Sequence, residues 1–243
     1  MKNQYVGDVG DYGKYGLLRF LAKKGIKIGV NWYLTKDDGS SDGKHTNYLN
    51  KPAERVYDPE LFDFLGGIAF CQNKTVELVK NKGIILGAEF YSEILKSKCV
   101  EAEKRQAVRS LWFRNSLMQL QDAKLIFADP DNGISYRKNA RTKDCEKYIL
   151  PDEVEKYYNS GKNVVFYCHK GRRGKEAWEK TKTDIRTCIK DAQILAITFH
   201  RGTQRSYIFV LHPDDYQYYR ELLKEFVNSS WGKLFSWEPV AVN

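Results

Sequence analysis

Asp129-Pro130-Asp131-Asn132-Gly133 gathers two carboxylates and an amide in one short segment. Such a set can orient water, steady a developing cation or hold an amino group. The run ahead of it, Leu125-Ile126-Phe127-Ala128, is wholly apolar and reads as a buried strand. Proline and glycine then forbid the strand from continuing. The acids therefore sit on a turn at the strand's C-terminal end, the edge where open α/β sheets place ligands and chemistry. The same residues also make a good turn, but a turn has little need of both acids.

Around this centre the candidate catalytic residues are Asp129, Asp131, Asn132, Lys14 and His200. Lys14 closes Gly7-Asp8-Val9-Gly10-Asp11-Tyr12-Gly13-Lys14, a glycine-spaced polar cluster that Gly16 extends. Glycines there permit unusual backbone angles and close approach to a ligand. A helix that starts with Asp11 as its cap is the competing reading. His169 and His200 each follow a predicted strand, so both are expected on the Asp129 edge, and His212 on the opposite one. Trp112, Phe113, Trp178 and the tyrosine pairs are read as packing.

The net charge is +9, and the excess is concentrated in residues 136–143, 169–175 and 200–205. Glycine interrupts the arginines of the last two segments, which lets backbone amides join guanidinium groups on a phosphate. His169, Lys170, Arg172, Arg173, Lys175, Arg201 and Arg205 are thus the expected nucleic-acid contacts, and the sixteen tyrosines and five tryptophans supply rings for bases. Nucleic acid is favoured over a small phosphorylated substrate, with DNA ahead of RNA.

A chain of 243 residues, 42% hydrophobic and 29% charged, has the composition of one folded domain, residues 1–243. No apolar run approaches the length of about 18 residues needed to span a membrane, and the N-terminal residues do not read as a signal peptide. The five scattered cysteines form no C-x-x-C pair, so zinc is not expected and a reducing cytoplasm is. Oligomeric state leaves no mark on the sequence.

The elements that must position these residues alternate between strand and helix. Helices are expected at residues 17–24, 59–65, 73–81, 101–121, 151–161, 175–190 and 216–227, and strands at 27–34, 125–128, 163–168, 193–199 and 206–211. Residues 84–91 are ambiguous. The gap between the last two strands is too short for a parallel crossover, so they form an antiparallel hairpin. The expected fold is α/β: a mostly parallel Rossmann-like sheet with helices on both faces and a C-terminal antiparallel hairpin.

With its hairpin ending, this order resembles the Rossmann-like methyltransferase fold, and within it the ribosomal RNA adenine methyltransferases. Residues 7–14 sit where that family has a basic motif ahead of its first strand, and Asp129-Pro130 matches the start of its acid-Pro-Pro-aromatic motif, which holds an amino group. Asp131-Asn132 replaces the Pro-aromatic half, and the loop at residues 35–43 carries acids and no G-x-G. The resemblance implies a shared fold, while the departures imply chemistry that needs no S-adenosylmethionine. Asp129-Pro130 and His200 bear a fainter resemblance to uracil-type DNA glycosylases.

The favoured expectation is cofactor-free hydrolysis at a flipped, altered base, with Asp129 or Asp131, Asn132 and a histidine as the working set. Methyl transfer is one alternative. A metal-dependent nuclease drawing on Asp8, Asp11, Asp37, Asp38, Asp42, Glu89, Asp129 and Asp131 is another, although no carboxylate pair with a nearby E-x-K stands out. The non-enzymatic alternative is a nucleic-acid-binding module.

Overall fold

The computed structural model describes every residue except 41, 42, 44, 242 and 243. Asp8 opens the first helix: its backbone is extended and its carboxylate accepts the Gly10 amide at 2.8 Å, which caps α1 (Val9–Lys23). The helix begins well before residue 17, and Asp8 rather than Asp11 is the cap. Sequence patterning shortens it because interior glycine costs about 1 kcal/mol per residue in a helix, a cost that packing overrides here.

β1 (Ile28–Asn31) follows, then α2 (Pro59–Ala69) and α3 (Val76–Lys82). Asp58 caps α2 by accepting the Leu61 amide, and Pro59 takes the first turn, where its missing N–H costs nothing. The ambiguous run resolves into β2 (Glu89–Tyr91), and α4 (Ala102–Gln119) leads to β3 (Leu125–Ala128). α5 (Pro151–Asn159), β4 (Asn163–His169) and α6 (Lys175–Thr183) come next. The pair β5 (Gln193–Phe199) and β6 (Arg205–Leu211), α7 (Pro213–Asn228) and β7 (Phe235–Trp237) close the chain.

The sheet order is β2-β1-β3-β4-β6-β5-β7. β2, β1, β3 and β4 run parallel, while β6 is antiparallel to both β4 and β5. The mixed α/β fold with a parallel core and antiparallel C-terminal strands is the expected one. Placing β6 between β4 and β5 joins the hairpin to the core by its second strand. Short β7, absent from the sequence reading, pairs antiparallel with the end of β5.

Alternation along the strands divides the core. Leu125, Phe127, Val165, Tyr207 and Phe209 face one layer, with α1, α2, α3 and α7; Ile126, Ala128, Val164, Phe166 and Ile208 face the other, with α4, α5 and α6. Every residue of β3 is fully buried between β1 and β4, so Asp129 emerges from the middle of the sheet. Other boundaries differ too, with α2 running on to Ala69, α3 starting at Val76 and α7 at Pro213. The first strand ends at Asn31 because Tyr33 takes the left-handed region at φ 44°, a conformation that costs a non-glycine residue about 1–3 kcal/mol. The helix from Lys175 gives way after Thr183 to a tighter turn, Asp184–Thr187. Among the described residues, no helix is long and apolar enough to cross a membrane.

Candidate active site at the edge of the parallel strands

β3 delivers Asp129 beside β1, where its amide donates to the Asn31 carbonyl at 3.0 Å. α1 descends onto the same edge. It lies close because Gly13 leaves room for the Phe199 ring of β5, which a Cβ there would meet at 2.7 Å. Gly16 likewise leaves room for the Trp231 ring, which a Cβ there would meet at 2.3 Å. This packing brings Lys14 between two acids. Its ammonium is 2.7 Å from Asp11, one turn earlier, and 2.7 Å from Asp129. The glycine-spaced motif thus serves the seating of α1 against the protein itself.

All three groups are buried. Burial pulls the Lys14 ammonium down, but the Asp11 and Asp129 carboxylates outweigh it and raise its pKa. Burial raises the Asp11 carboxyl, against the pull of Lys14 and the Gly7 amide, which donates to it at 3.0 Å. One cation therefore serves two carboxylates, so this trio carries one excess negative charge when ionised.

Other acids near this edge each have a cation, and Lys2 reaches two of them, Asp38 and, at 3.8 Å, Asp131. Arg205 donates to Asp8 at 2.9 Å, its guanidinium lying over Gly10, where a Cβ would meet it at 2.6 Å. Lys2 pairs with Asp38 at 2.6 Å, and the Met1 amino group pairs with Asp131 at 2.7 Å. That amino group also donates to the carbonyls of Asp129 at 2.9 Å and Tyr33 at 3.3 Å. The Met1 sulfur lies 3.9 Å from the Lys14 ammonium.

These residues line a cavity of about 310 Å³. Asp129, Asp131, Asn132, Lys14, His169 and Arg205 are all on its wall, so the fold gathers four of the five candidate catalytic residues and two of the seven candidate phosphate contacts. Burial and the nearby Arg205 and Arg173 lower the His169 pKa, which keeps the imidazole neutral at pH 7.

The remaining candidates lie elsewhere. His200 follows β5 on the same edge but does not line the cavity; its Nε2 meets the Ser236 hydroxyl at 2.7 Å. Arg201 pairs with Glu54 at 3.2 Å, while Arg173 donates to the carbonyls of His169 and Lys170. Arg172 is exposed and Lys170 half-buried on the loop after β4, and exposed Lys175 opens α6. His212 is on the opposite edge, its amide donating to Asn163 at the start of β4.

The nuclease alternative depends on clustered oxygen ligands. Among the described residues, no group of three or more His, Cys, Asp or Glu side chains is placed to hold a metal ion. Lys14 occupies the space between Asp11 and Asp129, and Glu89 and Asp37 do not line the cavity; Asp42 lies outside the described residues.

Sequence reasoning missed Met1, Lys2, Tyr167 and Tyr207, which also line the cavity. Strand alternation carries a signal for the two tyrosines. Tyr167 lies two residues before His169, on the same face of β4, and Tyr207 lies two after Arg205 on β6. No local signal brings Met1 and Lys2 to this edge.

No family model matches the chain, and no curated protein matches it. A solved structure, protein LPL1258 of Legionella pneumophila strain Philadelphia 1, described as family DUF519, is similar over 98% of this chain and 96% of that one, with a TM-score of 0.45 and 12% identity.

Proposed function

We propose that this protein is an enzyme acting on nucleic acid, which hydrolyses the bond between a flipped base and its sugar with Asp129 as the catalytic carboxylate. The observation that carries this reading is the sharing of one ammonium, Lys14, by two buried carboxylates, each at 2.7 Å. The excess negative charge of this trio is buried at the pocket wall, where it can stabilise an oxocarbenium-like sugar. As the bond from C1′ to the base nitrogen breaks, its electron pair leaves with the base and the oxygen of water closes on C1′. Neutral His169 takes the proton of that water and passes it on to the base, and the Asn132 amide supports the departing group. Phosphates run along Lys170, Arg172, Arg173 and Lys175, with Arg201 on the neighbouring loop and Arg205 at the start of β6. DNA is the preferred substrate, and the five free cysteines fit a reducing cytoplasm.

Methyl transfer is the second reading, favoured by the seating of Met1. The amino group of Met1 donates to the carbonyls that follow β1 and β3, with its sulfur beside Lys14. With Met1 displaced, the same strand-end crevice would take the methionyl end of S-adenosylmethionine. The strand order with reversed β6 beside β4 agrees with that resemblance. The cofactor would supply a methyl group, and Asp129 would accept a hydrogen bond from the target amine. The acidic loop at residues 35–43 weighs against it.

Calorimetric titration with S-adenosylmethionine, run beside incubation with DNA and RNA bearing varied altered bases, separates the two. Alkali-sensitive abasic sites without cofactor binding support hydrolysis. Cofactor binding without abasic sites replaces hydrolysis by methyl transfer.

A further inference from the structure

One buried hydroxyl in the pocket has no answering group among the described residues. Tyr207 is fully buried on β6, lines the cavity, and among the described residues its hydroxyl has no hydrogen-bond partner. Burial raises its pKa well above that of an ordinary tyrosine; Arg205 opposes this, and Asp129 adds to it. The group is therefore a hydrogen-bond donor throughout the physiological range. An unmet buried hydroxyl costs about 1–3 kcal/mol, and protein interiors pair nearly all such groups. A phenylalanine would fill the same space at none of that cost.

Tyr15 supplies an internal comparison. It is also fully buried, its hydroxyl also lacks a partner among the described residues, and it feels the same Asp11 and Asp129 carboxylates. It does not line the cavity. Of the two, Tyr207 is the one on a ligand's path, beside Tyr167 at a ring separation of 6.4 Å.

We propose that Tyr207 is a ligand-binding residue whose hydroxyl donates a hydrogen bond to an acceptor atom of the base held beside Asp129. The inference rests on the base-pocket reading above and adds a specificity determinant to it. A carboxylate takes an N–H of the base while the tyrosine meets a carbonyl oxygen or an unprotonated ring nitrogen. The pocket thus reads a base edge on which a donor adjoins an acceptor. A site built this way rejects analogues that lack the acceptor, because the buried hydroxyl is then left unmet again.

The test uses the full chain and free nucleosides as probes. Adenosine, cytidine, guanosine and uridine are titrated by calorimetry into the wild type, Tyr207→Phe and Tyr15→Phe, and each protein's thermal midpoint is recorded. The expected result is a nucleoside that binds the wild type, binds Tyr207→Phe at least tenfold more weakly and binds Tyr15→Phe unchanged. Both variants should melt no lower than the wild type. Replacing the nucleoside's acceptor atom by C–H should weaken wild-type binding to the level of Tyr207→Phe and leave that variant's binding unchanged. Equal affinity in wild type and Tyr207→Phe overturns the assignment while leaving the base pocket standing, and so does equal weakening in both variants. Failure of every nucleoside to bind the wild type overturns the base-pocket reading and this inference together.

Discussion

Lys14 and Asp129 are 115 positions apart in the chain and 2.7 Å apart in the fold. Their contact joins the first helix to the central strand, and Asp11 attaches to the same ammonium from within the helix at 2.7 Å. Two acids around one cation make the three positions unequal, because losing the cation leaves two buried charges and losing one acid leaves a matched pair.

Stability should follow that asymmetry. Lys14→Met is expected to destabilise the protein by about 3–5 kcal/mol, the cost of stranding buried charge. Asp129→Asn should cost less than half as much, since Lys14 keeps Asp11. Urea unfolding of both variants measures the difference; equal losses would contradict the shared-cation arrangement.

Activity should separate from folding at the same residue. Asp129→Asn is expected to reduce base release by at least about 100-fold, the scale of losing a catalytic group. Nucleic-acid affinity should stay within about threefold, since the residues proposed to hold phosphates are elsewhere. A gel-shift titration beside an abasic-site assay reads both, and an active Asp129→Asn would falsify the catalytic assignment.

The basic loop after β4 should act through salt. Arg172 is exposed and Arg173 half-buried beside His169. If both contact duplex phosphates, replacing them by alanine lowers the slope of log affinity against log salt by about 0.9 per contact, or about 2 in all. Fluorescence anisotropy across a salt series supplies the slopes; unchanged slopes would remove these residues from the interface.

The pH dependence follows from His169. Burial and the neighbouring Arg205 and Arg173 depress its pKa below the ordinary value of about 6.5. The folded state therefore sheds this proton at lower pH than the unfolded chain does. Its contribution to stability is present above the unfolded value and is lost as pH falls through the depressed one. The acid limb of kcat/KM should likewise lie below pH 6.5 and disappear in His169→Gln. A limb that survives the substitution would assign the proton to another group.

A second ion pair should prove purely structural. Arg109 of α4 grips Glu153 of α5 with two hydrogen bonds of 2.7 and 2.8 Å, and also donates to the carbonyls of Cys145 at 2.8 Å and Tyr148 at 2.7 Å. It thereby secures the loop that leaves Asp129. Arg109→Met is expected to cost about 3–5 kcal/mol by stranding Glu153, while the activity of the molecules that remain folded changes little. Denaturation combined with active-site titration tests this.

The apolar run 125–128, the breaker residues after it and the short gap between the last two strands were all legible in the sequence. Each is a local property: strand burial, turn chemistry and loop length depend on neighbours in the chain. They were enough to read a mixed sheet and to place Asp129 at the C-terminal edge of its parallel strands. The glycines of α1 misled, because the Trp231 ring that justifies Gly16 lies more than two hundred positions away. The pairing of charges was equally closed to inspection. His200 and His169 read alike as histidines at strand ends, yet one meets Ser236 and the other lines the pocket. Tyr207 shares a strand face with Arg205, but only β6 inserted beside β4 brings it to the cavity wall. Local periodicity specifies which face of an element a residue occupies, whereas sheet order and helix seating specify what that face meets. Only the tertiary structure decides the second, because ion pairs and unmet hydroxyls are relations between elements distant in the chain.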